Sequence, residues 1–116
     1  MHLVYIHGNG ASATSFNFIR SQLPGFSETN LEYTSSDGFF PNLDAMRQRI
    51  ESLDRIFFIA HSLGGIYALH LANALSEQVI GAVTLSTPYG GSEAAEVVKF
   101  MVPFTKYQDM VRLEHG

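Results

Sequence analysis

One stretch constrains the fold of this chain more than any other, because in it an apolar strand passes into a helix without a loop. Residues 56–60 read Ile-Phe-Phe-Ile-Ala, which is typical of a buried strand. His-Ser-Leu-Gly-Gly follows at once, and apolar residues on most faces of 64–76 predict a helix. So tight a turn requires small residues two before and two after its centre. Ala60 and Gly64 meet this requirement, so the sequence predicts a strand-turn-helix centred on Ser62.

The predicted turn gives Ser62 the setting of a chemically active residue. It places the serine at the carboxyl end of a strand, with a strained backbone and an exposed hydroxyl. The helix that begins at Leu63 directs backbone N–H groups and its positive dipole end at the same point. Ser62 is therefore a candidate nucleophile. The simpler alternative is a serine that only caps a buried helix.

The rest of the chain alternates short apolar runs with segments of helical spacing. Four strands separated by helices predict an α/β fold, with a parallel sheet, helices on both faces and right-handed crossovers. The predicted strands are 3–6, 29–34, 55–60 and 79–85, and the predicted helices lie around 16–23, 43–53, 64–76 and 92–102.

The turn also carries a family resemblance. Ala60-His61-Ser62-Leu63-Gly64-Gly65 resembles the nucleophile elbow of α/β-hydrolase lipases and esterases. The general motif is Gly-x-Ser-x-Gly, and alanine replaces the first glycine here, as in small bacterial lipases. The resemblance covers roughly 3–102 and implies strands in the spatial order second, first, third, fourth. It further implies that Ser62 attacks a carboxylic ester, with Ala60, His61 and Gly64 supporting the elbow.

The loop after the first strand resembles the oxyanion loop of the same family. It reads His-Gly-Asn-Gly at 7–10. The resemblance implies that the backbone N–H groups of Asn9 and Leu63 bind the oxyanion. Gly8 would let the backbone approach the substrate closely. We expect His7 to brace this loop and to lie too close to the donors to act as the triad base.

The same loop has a second interpretation. Gly8-x-Gly10-x-x-Ala13 between a strand and a helix matches a dinucleotide-binding fingerprint, and Glu28 or Glu32 lies where a ribose-binding acid would be. A dinucleotide-binding protein has no use for a serine elbow, so this alternative ranks lower.

The other two members of a catalytic triad are not evident. The family order is Ser, then Asp or Glu, then His. After Ser62 the histidines are His70, which lies two turns into the helix and points away from the elbow, and His115. Asp109, Glu114 and His115 lie in a tail without strand pattern, and we do not expect them to complete a triad.

The missing triad members suggest a domain without the C-terminal strands of the family. We expect residues 1–116 to form one such hydrolase domain. A catalytically inactive binding protein on the same fold is the main alternative. If the sheet ended at the fourth strand, its exposed edge could pair with a second copy.

Two further segments are candidates for substrate contacts. Thr-Pro-Tyr-Gly-Gly-Ser at 87–92 resembles a stretch beside the active site of lipase-like hydrolases, which makes Tyr89 a candidate pocket residue. The apolar tail could form a lid or a helix packed on the sheet; its residues are Phe100, Met101, Phe104, Tyr107 and Met110.

Composition excludes several other functions. The net charge of −4 and the lack of a basic run argue against nucleic acid. The absence of cysteine excludes disulfides, zinc thiolates and a cysteine nucleophile. The five histidines lack metal-ligand spacing, and no cofactor is indicated. No segment has the length of a membrane span or the form of a signal peptide, so we expect a cytoplasmic protein acting on a small ester or lipid-like substrate.

Overall fold

The computed structural model describes residues 1–8, 13–86 and 97–101. They form a five-stranded sheet with helices on both faces. The strands are β1 (His2–Ile6), β2 (Ser27–Leu31), β3 (Ile56–His61), β4 (Val79–Ser86) and β5 (Val97–Met101). The helices are α1 (Asn17–Gln22), α2 (Phe39–Ile50) and α3 (Leu63–Ala74), with 3₁₀ turns at Ala13–Phe16 and Ser35–Asp37.

The parallel part of the sheet confirms the predicted fold. Its order is β2-β1-β3-β4, and each neighbouring pair is parallel. Ile6 at the end of β1 lies beside Leu31 of β2 and Ala60 of β3. The carboxyl ends of these strands therefore meet at one edge of the sheet, where α/β proteins place their sites.

Alternate residues of each strand enter the cores on the two faces. Val4 and Ile6 of β1 lie in the core that α2 and α3 cover. Leu3 and Tyr5 lie in the opposite core, where Phe16 packs against the Tyr5 ring at 5.2 Å. The predicted helices on both faces are thus confirmed. Both cores are apolar enough to stabilise the sheet on each side.

The second strand begins and ends earlier than predicted, at 27–31 instead of 29–34. The reason is that the backbone after Leu31 bonds to side chains and not to the sheet. Tyr33 N–H donates to His7 Nε2 at 3.2 Å, and Thr34 O accepts from Asn42 Nδ2 at 2.9 Å. These two residues thereby leave the strand and turn towards the carboxyl edge.

The prediction of a helix at 92–102 is wrong for residues 97–101, because these residues form β5. This strand pairs antiparallel with β4, from Ala82 beside Met101 to Ser86 beside Val97. Val-Val-Lys-Phe-Met favours a strand by composition, and the open edge of β4 supplies the partner. Residues 92–96 lie outside the described part of the chain.

β5 corrects two more expectations. β4 is not the edge of the sheet, so the exposed β4 edge proposed for pairing with a second copy does not exist. Phe100 and Met101 belong to β5, which excludes them from a lid or a packed helix. Phe104, Tyr107 and Met110 lie outside the described residues. Among the helices in the described ranges, none has both the length and the apolarity needed to span a bilayer.

Candidate active site

Ser62 lies at the junction between β3 and α3, in a backbone conformation that glycine adopts more readily than serine. Its φ is 56° and its ψ is −121°, and the residue is exposed. Its N–H donates to Leu85 O at 3.3 Å, and its carbonyl accepts from Gly65 N–H at 2.8 Å. The side chain makes no capping hydrogen bond. The helix-cap interpretation of this serine therefore lacks its defining contact, and the strained backbone is held by its neighbours.

Gly64 allows α3 to start directly against the end of β1. A Cβ at this position would overlap Ile6 O and would lie 2.7 Å from His7 O. Only glycine fits such a backbone-to-backbone approach. Ala60, on the other side of the elbow, is fully buried in the core under α3. Small residues are thus required on both sides of Ser62 by packing.

Gly8 brings the loop after β1 against the elbow. A Cβ on Gly8 would lie 3.2 Å from Ser62 Cβ and 2.9 Å from His61 Nδ1. Gly8 therefore approaches Ser62 and the half-buried His61 so closely that no side chain fits between them. Asn9 follows directly but lies outside the described residues, while Leu63 is the first residue of α3.

His7 is buried beneath the loop, and both of its ring nitrogens are engaged. Nδ1 donates to Gly8 O at 2.8 Å, and Nε2 accepts from Tyr33 N–H at 3.2 Å. Because a carbonyl only accepts and an amide N–H only donates, these partners require the neutral tautomer protonated at Nδ1. Neither nitrogen is left to exchange a proton with Ser62.

Tyr33 contacts His7 in two further ways. Its hydroxyl donates to His7 O at 3.0 Å. Its ring stacks on the imidazole with centroids 4.3 Å apart and planes 2° apart. Burial, and to a lesser extent the proximity of Tyr67, raises the pKa of Tyr33 to about 12. The phenol therefore stays protonated at neutral pH and remains a hydrogen-bond donor.

A polar-aromatic cluster connects the His7–Tyr33 pair to α2 and α3. Tyr67 of α3 lies 4.8 Å from the Tyr33 ring and stacks on Phe39 of α2 at 4.5 Å. Asn42 Nδ2 donates to Tyr67 Oη at 3.3 Å and to Thr34 O. The cluster thus draws two members from α2, one from α3 and one from the segment after β2.

Tyr33, Tyr67 and Asn42 were not among the residues predicted from the sequence. Asn42 did leave a signal, because it stands four residues before Met46 on the face of α2 that Ile50 continues, and an amide among core residues needs partners. The two tyrosines gave no such signal, since an aromatic residue at a buried position is ordinary.

The remaining histidines of the described chain lie away from the elbow. His70 is exposed on α3, and its ring meets that of Phe39 edge-on with the ring centroids 5.3 Å apart. His2 begins β1 at the opposite edge of the sheet and bonds Thr29 Oγ1 at 2.7 Å. Within residues 1–8, 13–86 and 97–101, no group of three metal-ligand side chains is placed to bind an ion. Tyr89, Asp109, Glu114 and His115 lie outside those ranges.

The sheet order, the helices on both faces and a serine at positive φ between β3 and α3 define the class of this protein as an α/β-hydrolase fold. The sequence pattern of the alpha/beta hydrolase family matches residues 3–114, nearly the whole chain, and the chain belongs to that family. A search of curated proteins found no match.

Family membership weighs against the dinucleotide-binding alternative, and so does the placement of Glu28. Glu28 is the second residue of β2, at the wrong end of the strand, and its carboxylate is bound by the Arg20 guanidinium. Glu32 directly follows β2, so of the two acids only this one lies at the carboxyl end of the strand.

Proposed function

We propose that this chain carries the nucleophile and the oxyanion hole of a serine hydrolase that acts on carboxylic esters, of the esterase or lipase type. The observation that carries the proposal is the contact between Gly8 and Ser62 at a serine with a φ of 56°. In the proposed reaction, Ser62 Oγ attacks the acyl carbon of a small ester or lipid-like substrate. Charge then develops on the carbonyl oxygen next to the loop and the start of α3.

The backbone N–H groups of Asn9 and Leu63 are the proposed oxyanion donors. Leu63 is the first residue of α3, and the first N–H groups of a helix have no partner within it. The Asn9 N–H follows Gly8, which already touches Ser62. His7, Gly8, Ala60, His61 and Gly64 hold the loop and the elbow together in this proposal, and Tyr89 is a proposed lining residue of the substrate pocket.

The proposal requires a histidine base and an acid from outside the described residues. Without a base, a serine hydrolase retains only the weak acceleration of its oxyanion hole and substrate binding. The occupied nitrogens of His7 and the outward position of His70 are the observations that favour the second candidate, a non-catalytic binding protein on the hydrolase fold.

Labelling with a fluorophosphonate probe tests the proposal, because such probes react with an activated serine. We expect the Ser62→Ala variant not to be labelled and the wild-type chain to be labelled, if slowly, because the oxyanion hole and probe binding act even without a base. Ser21→Ala is the matched control, since Ser21 is exposed on α1 and its hydroxyl bonds only local partners, donating to Phe18 O and accepting from Gln22 Nε2. That variant should label like the wild type.

A folded wild-type chain that reacts no faster than Ser62→Ala would contradict the proposal and favour the non-catalytic candidate. Labelling that disappears in Ser21→Ala and persists in Ser62→Ala would also contradict it, because the reactive serine would then be a different one.

A further inference from the structure

The peptide group between His7 and Gly8 is held from two sides. Its carbonyl oxygen accepts the Tyr33 hydroxyl at 3.0 Å. The backbone of Gly64 occupies the other side, where a Cβ would lie 2.7 Å from the same oxygen. This group therefore has little freedom to rotate, and Tyr33 supplies the only side chain that bonds its oxygen in the described part of the chain.

The next peptide group is held through the His7 ring. His7 Nδ1 donates to Gly8 O at 2.8 Å. An imidazole bonded to Gly8 O therefore restrains the carbonyl group of the residue that approaches Ser62.

The orientation of that imidazole is set by Tyr33. The backbone N–H of Tyr33 occupies Nε2 at 3.2 Å, which leaves the proton on Nδ1, and the phenol ring stacks on the imidazole plane. The backbone N–H sets the tautomer, while ring and hydroxyl set the plane and the position of the residue. Tyr33 thus acts on His7 at three separate points.

We infer that Tyr33 is a positioning residue that fixes, through His7, the carbonyl group of Gly8 beside Ser62. The inference rests on the proposed function for its effect on reactivity, because Asn9 is a proposed oxyanion donor. The contacts of Tyr33 with His7 belong to the folded chain whatever its activity, and the chemical shifts of Gly8 and His7 report on them independently. Tyr33 does not touch the reacting atoms in this scheme.

The test compares Tyr33→Phe with Tyr67→Phe. The first removes the hydroxyl that bonds His7 O and keeps the stacked ring; the second removes a buried hydroxyl of the same cluster that bonds Asn42 and not His7. Both keep the ring volume, so circular dichroism should show both folded. The readouts are the backbone ¹H–¹⁵N shift of Gly8, the ¹⁵N shifts of the His7 ring, and the rate of fluorophosphonate labelling at saturating probe.

In wild-type protein the His7 shifts should report a proton on Nδ1 and none on Nε2. The Gly8 amide should move in Tyr33→Phe and stay in place in Tyr67→Phe. The maximal labelling rate should fall roughly 10-fold in Tyr33→Phe with little change in half-saturating probe concentration, since a misdirected donor weakens oxyanion binding and not probe binding. The Tyr67→Phe rate should remain near that of the wild type.

The inference would be overturned by the opposite His7 tautomer, by an unmoved Gly8 amide in Tyr33→Phe, or by equal shifts in the two variants. Equal losses of labelling rate in the two variants would do the same. If neither the wild type nor any folded variant is labelled, the proposed function fails. The nuclear magnetic resonance shifts alone then test whether Tyr33 positions His7 and Gly8.

Discussion

The carbonyl oxygen of Ile6 fills the space that a side chain at Gly64 would need. The last residue of β1 and the first turn of α3 are therefore in direct backbone contact, although they lie far apart in the sequence. This contact places the loop that follows β1 against the serine that precedes α3. The candidate nucleophile and the candidate oxyanion loop are thus joined by main chain, which is more rigid than a contact between long side chains.

Replacing Gly64 with alanine should destabilise the fold strongly. The new Cβ would overlap Ile6 O, and neither backbone can move without disturbing β1, so we expect a loss of about 3 kcal/mol in the free energy of unfolding. Gly65→Ala is the control, because its Cβ would meet only a methyl group of the Thr84 side chain, at 2.8 Å. Urea unfolding measures both, and equal losses would contradict the interpretation.

Replacing Ser62 with glycine should give a more stable protein than replacing it with alanine. Both variants lack the hydroxyl, but only glycine relieves the strain of a φ of 56° with a ψ of −121°. The expected difference in the free energy of unfolding is about 1 kcal/mol in favour of glycine. Thermal unfolding of the two variants in parallel provides the comparison, and a more stable alanine variant would show that the elbow is unstrained.

Asn42→Ala should cost about 2 kcal/mol of stability, because it leaves the buried Tyr67 hydroxyl without its donor, whereas Thr34 O keeps the Asp37 N–H. Gln48→Ala on the same helix is the matched control. Its side-chain amide also donates a hydrogen bond, to Asp44 at 2.9 Å, but on the exposed surface, where water replaces it. Chemical denaturation should show a loss only in Asn42→Ala, and similar values for both would argue against a buried network.

Two leucines of α3 should respond differently to truncation. Leu71 is fully buried in the core beneath α2 and α3, whereas Leu69 is 54% exposed. Leu71→Ala should therefore lower the free energy of unfolding by about 3 kcal/mol, and Leu69→Ala by less than about 0.5 kcal/mol. A large loss in Leu69→Ala would mean that its side chain is covered in solution.

Stability should fall in alkaline solution as the buried tyrosines ionise. The pKa of Tyr33 is raised to about 12, mainly by burial, and burial also raises the pKa of Tyr5. Between about pH 10, where an unfolded tyrosine loses its proton, and about 12, the folded chain binds more protons than the unfolded chain. The free energy of unfolding therefore decreases as pH rises through this window and is at its full value below it.

Tyr33→Phe tests the assignment of this pH dependence. The variant lacks one ionising group, so its free energy of unfolding should fall less steeply between about pH 10 and 12 than that of the wild type. Tyr5 still contributes, so the slope should not vanish. Denaturation series at several alkaline pH values give both slopes, and identical slopes would rule out Tyr33 as a contributor.

The elements that the sequence predicted well are those whose causes are local. β1, β3 and α3 follow from apolar runs and small residues, and the sheet order followed from the family resemblance that these residues carry. The end of β2 and the whole of β5 were predicted wrongly. In both places the backbone has a partner outside the local pattern: the His7 ring for Tyr33, two residues after β2, and β4 for residues 97–101.

The sequence by itself determined the sharp turn at Ser62, because its steric demands fall on residues two positions away and Ala60 and Gly64 stand there to meet them. Only the tertiary structure decided that Tyr33 holds His7 and that Asn42 holds Tyr67. Those contacts join segments separated by 25 or 26 residues, and a hydrogen bond between such segments depends on the path of the chain between them, which no local pattern encodes.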